Sequence, residues 1–156
     1  MDSIEIGMGK LYIADGPVVL STSGIGSCVA VCLWCQIQKK GSLAHIMLPR
    51  RPINNTGEIV EDDFRYGDIS IQAMVQQLET QDVKRTNLIA KIVGGAEMFP
   101  GLQARSQQVG ARNVEAVKQT LDVLHIPIAA EETGGNVGRA VTFDVSNGIV
   151  TIRMTI

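Results

Sequence analysis

Apolar positions in the first third of the chain recur as short, β-branched-rich runs closed by glycine or proline. Residues 17–22 (PVVLST) and 28–34 (CVAVCLW) flank a glycine-rich turn at 23–27, and residues 43–48 form a third run after Gly41-Ser42. Runs of this length and composition predict strands. Residues 49–67 lose all periodicity and gather Pro, Asn, Gly and acids, which predicts a long surface loop. Helical spacing then takes over. Ile71, Met74, Val75 and Leu78 fall on one stripe behind Asp68, a residue suited to cap the helix. Residues 88–93 (LIAKIV) predict a strand ending at Gly94-Gly95. Residues 111–124 predict a second helix, with Val114, Val117, Leu121 and Leu124 on one face and Pro127 as its stop.

The C-terminal segment carries a hairpin signal. Two runs, 140–145 and 149–155, surround Asn147-Gly148. A two-residue turn there sets Val145 opposite Val150, Phe143 opposite Ile152 and Val141 opposite Met154. Thr142, Asp144, Thr151 and Arg153 fall on the other face. No repeat, low-complexity tract or linker interrupts the chain. The expectation is one α/β domain spanning residues 1–156.

Composition narrows the function classes. Hydrophobic residues make up 45% and charged residues 19%, a globular balance. A net charge of −2 provides no clustered cation for nucleic acid. The longest apolar stretch, 29–34, is far too short to cross a bilayer, and the N-terminus lacks the basic start of a signal peptide. Three cysteines in a chain without an export signal are expected to be reduced thiols. A cytoplasmic location is the expectation.

The candidate chemistry centres on Cys28. It ends Thr22-Ser-Gly-Ile-Gly-Ser-Cys28, and His45 follows 17 positions later. A free cysteine is ordinarily a small buried hydrophobe. Here the preceding small residues let backbone N–H groups approach a reacting carbonyl oxygen, which suits a thiol nucleophile. His45 lies in an alternating apolar run, where a histidine is often a hydrogen-bonded core residue, yet its ordinary pKa near 6.5 suits general acid–base work. As a cation beside Cys28 it would hold a thiolate ready; as the base, it would lose activity on acidification through pH 8 to 5 as it becomes protonated. Thr22 reads first as an ordinary strand residue; its hydroxyl also offers an acceptor that could orient the imidazole. His125, at the end of the second helix, is the weaker candidate base.

Other clusters carry less. Cys28, Cys32 and Cys35 lack a fourth ligand at zinc-finger spacing, and Cys32 and Cys35 would project to opposite faces of an extended strand. Cys32 and Cys35 read as structural thiols, with no metal expected. The glycine clusters at 24–26, 94–95 and 134–138 match neither the dinucleotide fingerprint nor the P-loop, so no cofactor is expected. The acidic run 61–63 reads as a solvated loop face. Strand order stays open. A simple hairpin centred on residue 38 would set Cys28 opposite Leu48, and a bulge, twist or helical start would be needed to bring it to His45.

Six segments in order, GSCVAVCLW (26–34), LAHIMLP (43–49), RYGDISI (65–71), KIVGGAEMF (91–99), GARNVEAV (110–117) and ETGGNVGRAV (132–141), resemble the chemoreceptor glutamine deamidases of bacterial and archaeal chemotaxis, the CheD family. The resemblance implies mixed β-sheets packed in layers with helices outside, similar to deamidating bacterial toxins. It implies a triad in which Cys28 is the nucleophile, His45 the base and Thr22 the orienting residue. It further implies chemoreceptor cytoplasmic domains as substrate and a CheC-type phosphatase as regulatory partner. Binding to that phosphatase as a mere adaptor, or hydrolysis of receptor glutamyl methyl esters by the same thiol, are the alternatives. Two departures stand out: Cys35 replaces the Asp common in the family, and the chain stops at Ile156 without the glycine-rich tail of some relatives.

Overall fold

The computed structural model describes residues 2–52, 63–98 and 108–155, and among them are nine strands and two α-helices. In chain order these are β1 (Asp2–Glu5), β2 (Leu11–Asp15), β3 (Val18–Ile25), β4 (Val29–Cys35), β5 (Lys40–Ile46) and α1 (Gly67–Thr80). There follow β6 (Leu88–Gly94), α2 (Val109–Val123), β7 (Ile128–Thr133), β8 (Gly138–Asp144) and β9 (Val150–Thr155). One sheet has the order β1-β3-β8-β9 and the other β2-β5-β4-β6-β7. Most neighbours are antiparallel. The exceptions are β1 with β3 and β6 with β7, the latter joined by α2 as a crossover helix. The layered mixed-sheet α/β architecture is the one anticipated.

Strand β4 lies at the centre and explains why its sequence is apolar at nearly every position. Its two faces feed two separate cores. Val29, Val31, Leu33 and Cys35 pack with α1 and α2 through Ile71, Met74, Val75, Leu78, Val117 and Leu121. Ala30 and Cys32 face the other sheet and meet Leu20, Leu43, Val141, Phe143 and Val145. A strand buried on both faces has no polar side to present, so alternation disappears. Cys32 and Cys35 accordingly sit in different cores, both fully buried and reduced. Phe143 is the largest wholly buried side chain between the sheets. It fills space that Gly41 leaves open, because a Cβ on Gly41 would stand 2.9 Å from the ring. Burying such a ring contributes about 1.5–3 kcal/mol. Trp34 closes the same seam at its far end, donating from Nε1 to the Val145 carbonyl (2.8 Å) with Lys39 over its face.

Several expectations need correction. The C-terminal hairpin exists, but Phe143 pairs with Val150 and Val141 with Ile152, two residues away from the two-residue-turn register. Asp144 causes the change. Its carbonyl accepts from Gly148 N–H (2.8 Å), its carboxylate accepts from Ser146 N–H (3.0 Å), and Val145 is released into the inter-sheet core. A shift of two preserves the faces, so Thr142, Thr151 and Arg153 remain outside as expected. Asp68 does not cap α1. Tyr66 holds that position, and Asp68 instead accepts from Arg51 N–H (3.1 Å) and from Ile69 N–H (2.9 Å). Of the expected loop at 49–67, residues 53–62 lie outside the described residues, as do Glu61 and Asp62 of the acidic run. Strands β1, β2 and β7 escaped sequence reading. They are edge strands, and β7 (IAAEET) is rich in Ala and Glu, which strands disfavour.

Candidate active site

The glycine-rich turn is shorter than its sequence implied, because β3 continues through Gly24 to Ile25. The register with β8 shifts between Thr22 and Ile25, a bulge in which Gly24 takes a positive φ of 70°. Only residues 26–28 remain between β3 and β4. Their carbonyls are docked on the segment after β6: Ala96 N–H donates to Gly26 O (2.9 Å) and Gly95 N–H to Cys28 O (2.8 Å). Gly94 adopts φ 123°, and a Cβ there would collide with the Cys28 carbonyl. The half-buried Cys28 therefore stands where β4 begins, on a short and tightly held turn.

Register brings His45 to the same face. Val29 pairs with Ile46 and Ala30 with His45, through a four-residue turn between Cys35 and Lys40. Continuing that ladder puts Cys28 opposite Met47, not Leu48. The difference of one residue decides the site. Opposite residues in an antiparallel pair share a face, so a Leu48 partner would have sent Cys28 and His45 to opposite sides of the sheet. In the observed register they are diagonal neighbours, with Cβ atoms about 7 Å apart in such pairs. His45 spends its backbone bonds on the β2 side, with Lys10 O (3.0 Å) and Gly9 N–H (2.9 Å). It therefore forms a close, non-hydrogen-bonded pair with Ala30, whose methyl leaves the imidazole room to lean towards Cys28. No bulge or helical start is needed.

Thr22 reaches the imidazole from the other sheet. Its Oγ1 lies 2.7 Å from His45 Nδ1 and 2.7 Å from the Ile6 carbonyl oxygen. A hydroxyl has one proton, and Ile6 O can only accept. Thr22 must therefore donate to Ile6 and accept from Nδ1–H, which leaves Nε2 unprotonated. That Nε2 is buried and has no hydrogen-bond partner among the described residues. The side chain is wholly enclosed, and burial drives its pKa from 6.5 down to about 4. Burial also pushes the Cys28 thiol up, partly opposed by its own backbone N–H. Burial thus disfavours the charged form of both the thiol and the imidazole. The expected thiolate–imidazolium pair would have to form against that desolvation, and no hydrogen bond joins the sulfur to the ring among the described residues.

Of the sequence candidates, Thr22 and His45 are in direct contact and Cys28 is on their face at the strand mouth. His125 is exposed beyond the end of α2, in a positive-φ position, and belongs to no such cluster. Two participants escaped sequence reading. One is the Ile6 carbonyl, a main-chain group that no side-chain pattern can disclose. The other is Asn113 of α2, wholly buried, whose amide spans the carbonyls of Ser27 and Met47. Its signal was a polar residue on the apolar stripe, four positions before Val117.

The sequence matches the family model described as CheD chemotactic sensory transduction over residues 47–154. It is 38% identical to the chemoreceptor glutamine deamidase CheD of Thermotoga maritima, over 95% of this chain and 89% of that protein. It is 39% identical to the probable chemoreceptor glutamine deamidase CheD of Clostridium novyi, over 97% of this chain and 93% of the other. With the chemoreceptor glutamine deamidase CheD of Halalkalibacterium halodurans it shares 37% identity, again over 97% and 93%.

Proposed function

This chain belongs to the CheD family, and from that premise we propose that it hydrolyses glutamine side chains of chemoreceptors to glutamate through Cys28, His45 and Thr22. The observation that carries the reading is the forced tautomer of His45: a free Nε2 lone pair, on the face that holds Cys28. In the first step Sγ attacks the carboxamide carbon while its proton passes to Nε2. The oxyanion that forms needs donors. The N–H groups of Ser27 and of Cys28 itself donate to no backbone carbonyl among the described residues and are the nearest candidates in the chain. As the C–N bond breaks, the imidazolium returns its proton to the departing nitrogen, which leaves as ammonia. Water then gives a proton to Nε2 and adds to the thioester. The C–S bond breaks, the sulfur is reprotonated and glutamate departs. Thr22 keeps Nδ1–H engaged throughout, so the ring always presents Nε2.

The test is incubation of chemoreceptor cytoplasmic fragments with the protein, followed by ammonia assay and peptide mass spectrometry. Conversion of particular glutamines to glutamate, matched by released ammonia, is the expected result. Methanol release from methylated fragments without ammonia would replace the reading with methyl ester hydrolysis.

A pH profile follows from the buried imidazole. The neutral ring is the working base, and its pKa is displaced downward, so kcat/KM is expected to hold from pH 7 to about 5 and to fall with an acid limb near 4. Stability follows the same group. The unfolded chain binds a proton near 6.5 and the folded one near 4, so stability declines as pH falls between those values and levels off below them. An acid limb in kcat/KM near 6.5 would contradict the desolvated, neutral base.

A further inference from the structure

We infer that Asn113 is a positioning residue for acyl transfer: by holding the Ser27 carbonyl it aims the Cys28 N–H at the oxyanion, and by holding the Met47 carbonyl it fixes the strand that carries His45. The inference rests on the proposed thiol chemistry and extends it to helix α2.

The last cross-strand pair at this end of the β4–β5 ladder is Val29 with Ile46. Past it, the Ser27 and Met47 carbonyls are bridged by Asn113 of α2, with Nδ2 donating to Ser27 O (2.8 Å) and Met47 O (3.1 Å). Two carbonyl oxygens can be served only by the NH2 end of the amide, so its orientation is unambiguous. The acceptor end, Oδ1, is buried without a partner among the described residues. An unpaired buried acceptor is costly, and packing alone would favour an apolar residue there. The position is using its two donors.

The consequence for chemistry comes from peptide planarity. In a trans peptide the N–H points opposite to the preceding C=O. Three consecutive carbonyls are held: Gly26 by Ala96 N–H, Ser27 by Asn113 Nδ2, and Cys28 by Gly95 N–H. The two amide donors nearest the sulfur in the chain, on Ser27 and Cys28, are therefore aimed away from these anchors. The bond to Ser27 is the only one of the three made by a side chain. The helix that supplies it is itself seated on the same segment: a Cβ on Gly110 would stand 2.5 Å from Ala96 O and 2.6 Å from Gly95 O.

The experiment compares two reactions of the same sulfur. Deamidation of receptor fragments develops an oxyanion; alkylation of Cys28 by iodoacetamide does not. Asn113→Ala is expected to lower kcat about 10–100-fold with KM within about twofold, a part of what loss of an oxyanion donor costs. The alkylation rate of Cys28 is expected to stay within about threefold, and Asn113→Ser, which retains one donor, to recover part of kcat. A wild-type kcat in Asn113→Ala overturns the inference. So does a parallel fall in alkylation and deamidation, which would mean that the amide merely supports the fold. If the alanine variant does not fold, the serine variant carries the same comparison. Failure of the underlying reading looks different: wild-type protein fully alkylated at Cys28 would still deamidate.

Discussion

Cys28→Ala is expected to lower ammonia release from receptor fragments by a factor of about 10⁴ or more while leaving the protein folded. No neighbouring group can replace the sulfur. Cys32 lies on the same face but is wholly enclosed between the sheets, and burial pushes its thiol up to about 12. Cys35 is in the other core. Cys28 itself is only half-buried at the start of β4, so losing its thiol leaves a small void and costs little stability. Cys28→Ser should be nearly as inactive. In the proposed mechanism the base would be His45, whose pKa burial lowers to about 4, adequate for a thiol and poor for a hydroxyl. Glutamine-to-glutamate conversion surviving in the alanine variant at a tenth of the wild-type rate or more would remove Cys28 from the mechanism.

Thr22→Val is expected to cost about 10²–10³ in kcat with KM little changed, although valine fills nearly the same volume. The hydroxyl is what chooses the tautomer. Without it Nδ1–H loses its acceptor, and the proton is free to move to Nε2, the atom that must accept from Cys28. The Ile6 carbonyl loses its donor in the same stroke, and β1 and the segment after it are held less firmly. Thr22→Ser keeps the oxygen and should recover most of the rate. A valine variant within threefold of wild type would mean that the imidazole is oriented by something other than Thr22.

Much of this was legible in the chain, for definable reasons. The stripe on α1 and the central strands were readable because each of those segments buries a continuous apolar surface. The Asn147-Gly148 hairpin was readable in existence and facing, not in register, because Asp144 competes for the turn with its own side chain. The pairing of Cys28 with His45 turned on one residue of register in the β4–β5 hairpin. No local pattern fixes that number, since β4 is apolar on both faces and tolerates either parity. The desolvation of the pair was not legible for a related reason. A sequence places an imidazole beside a thiol but does not say how much water remains, and here both groups are desolvated. Asn113 shows the converse. A buried amide in a largely apolar stripe announces a polar partner without naming it.

Trp34 is the only tryptophan in the chain, and its place sets what light can report about this protein. It stands at the opposite end of β4 from Cys28, six residues or about 20 Å away along the strand. Its indole is tied to Val145 on the facing sheet. Intrinsic fluorescence is therefore a gauge of whether the two sheets remain together at the hairpin end. It is a poor gauge of occupancy at the sulfur, so substrate titrations on this protein call for a probe attached near Cys28 instead.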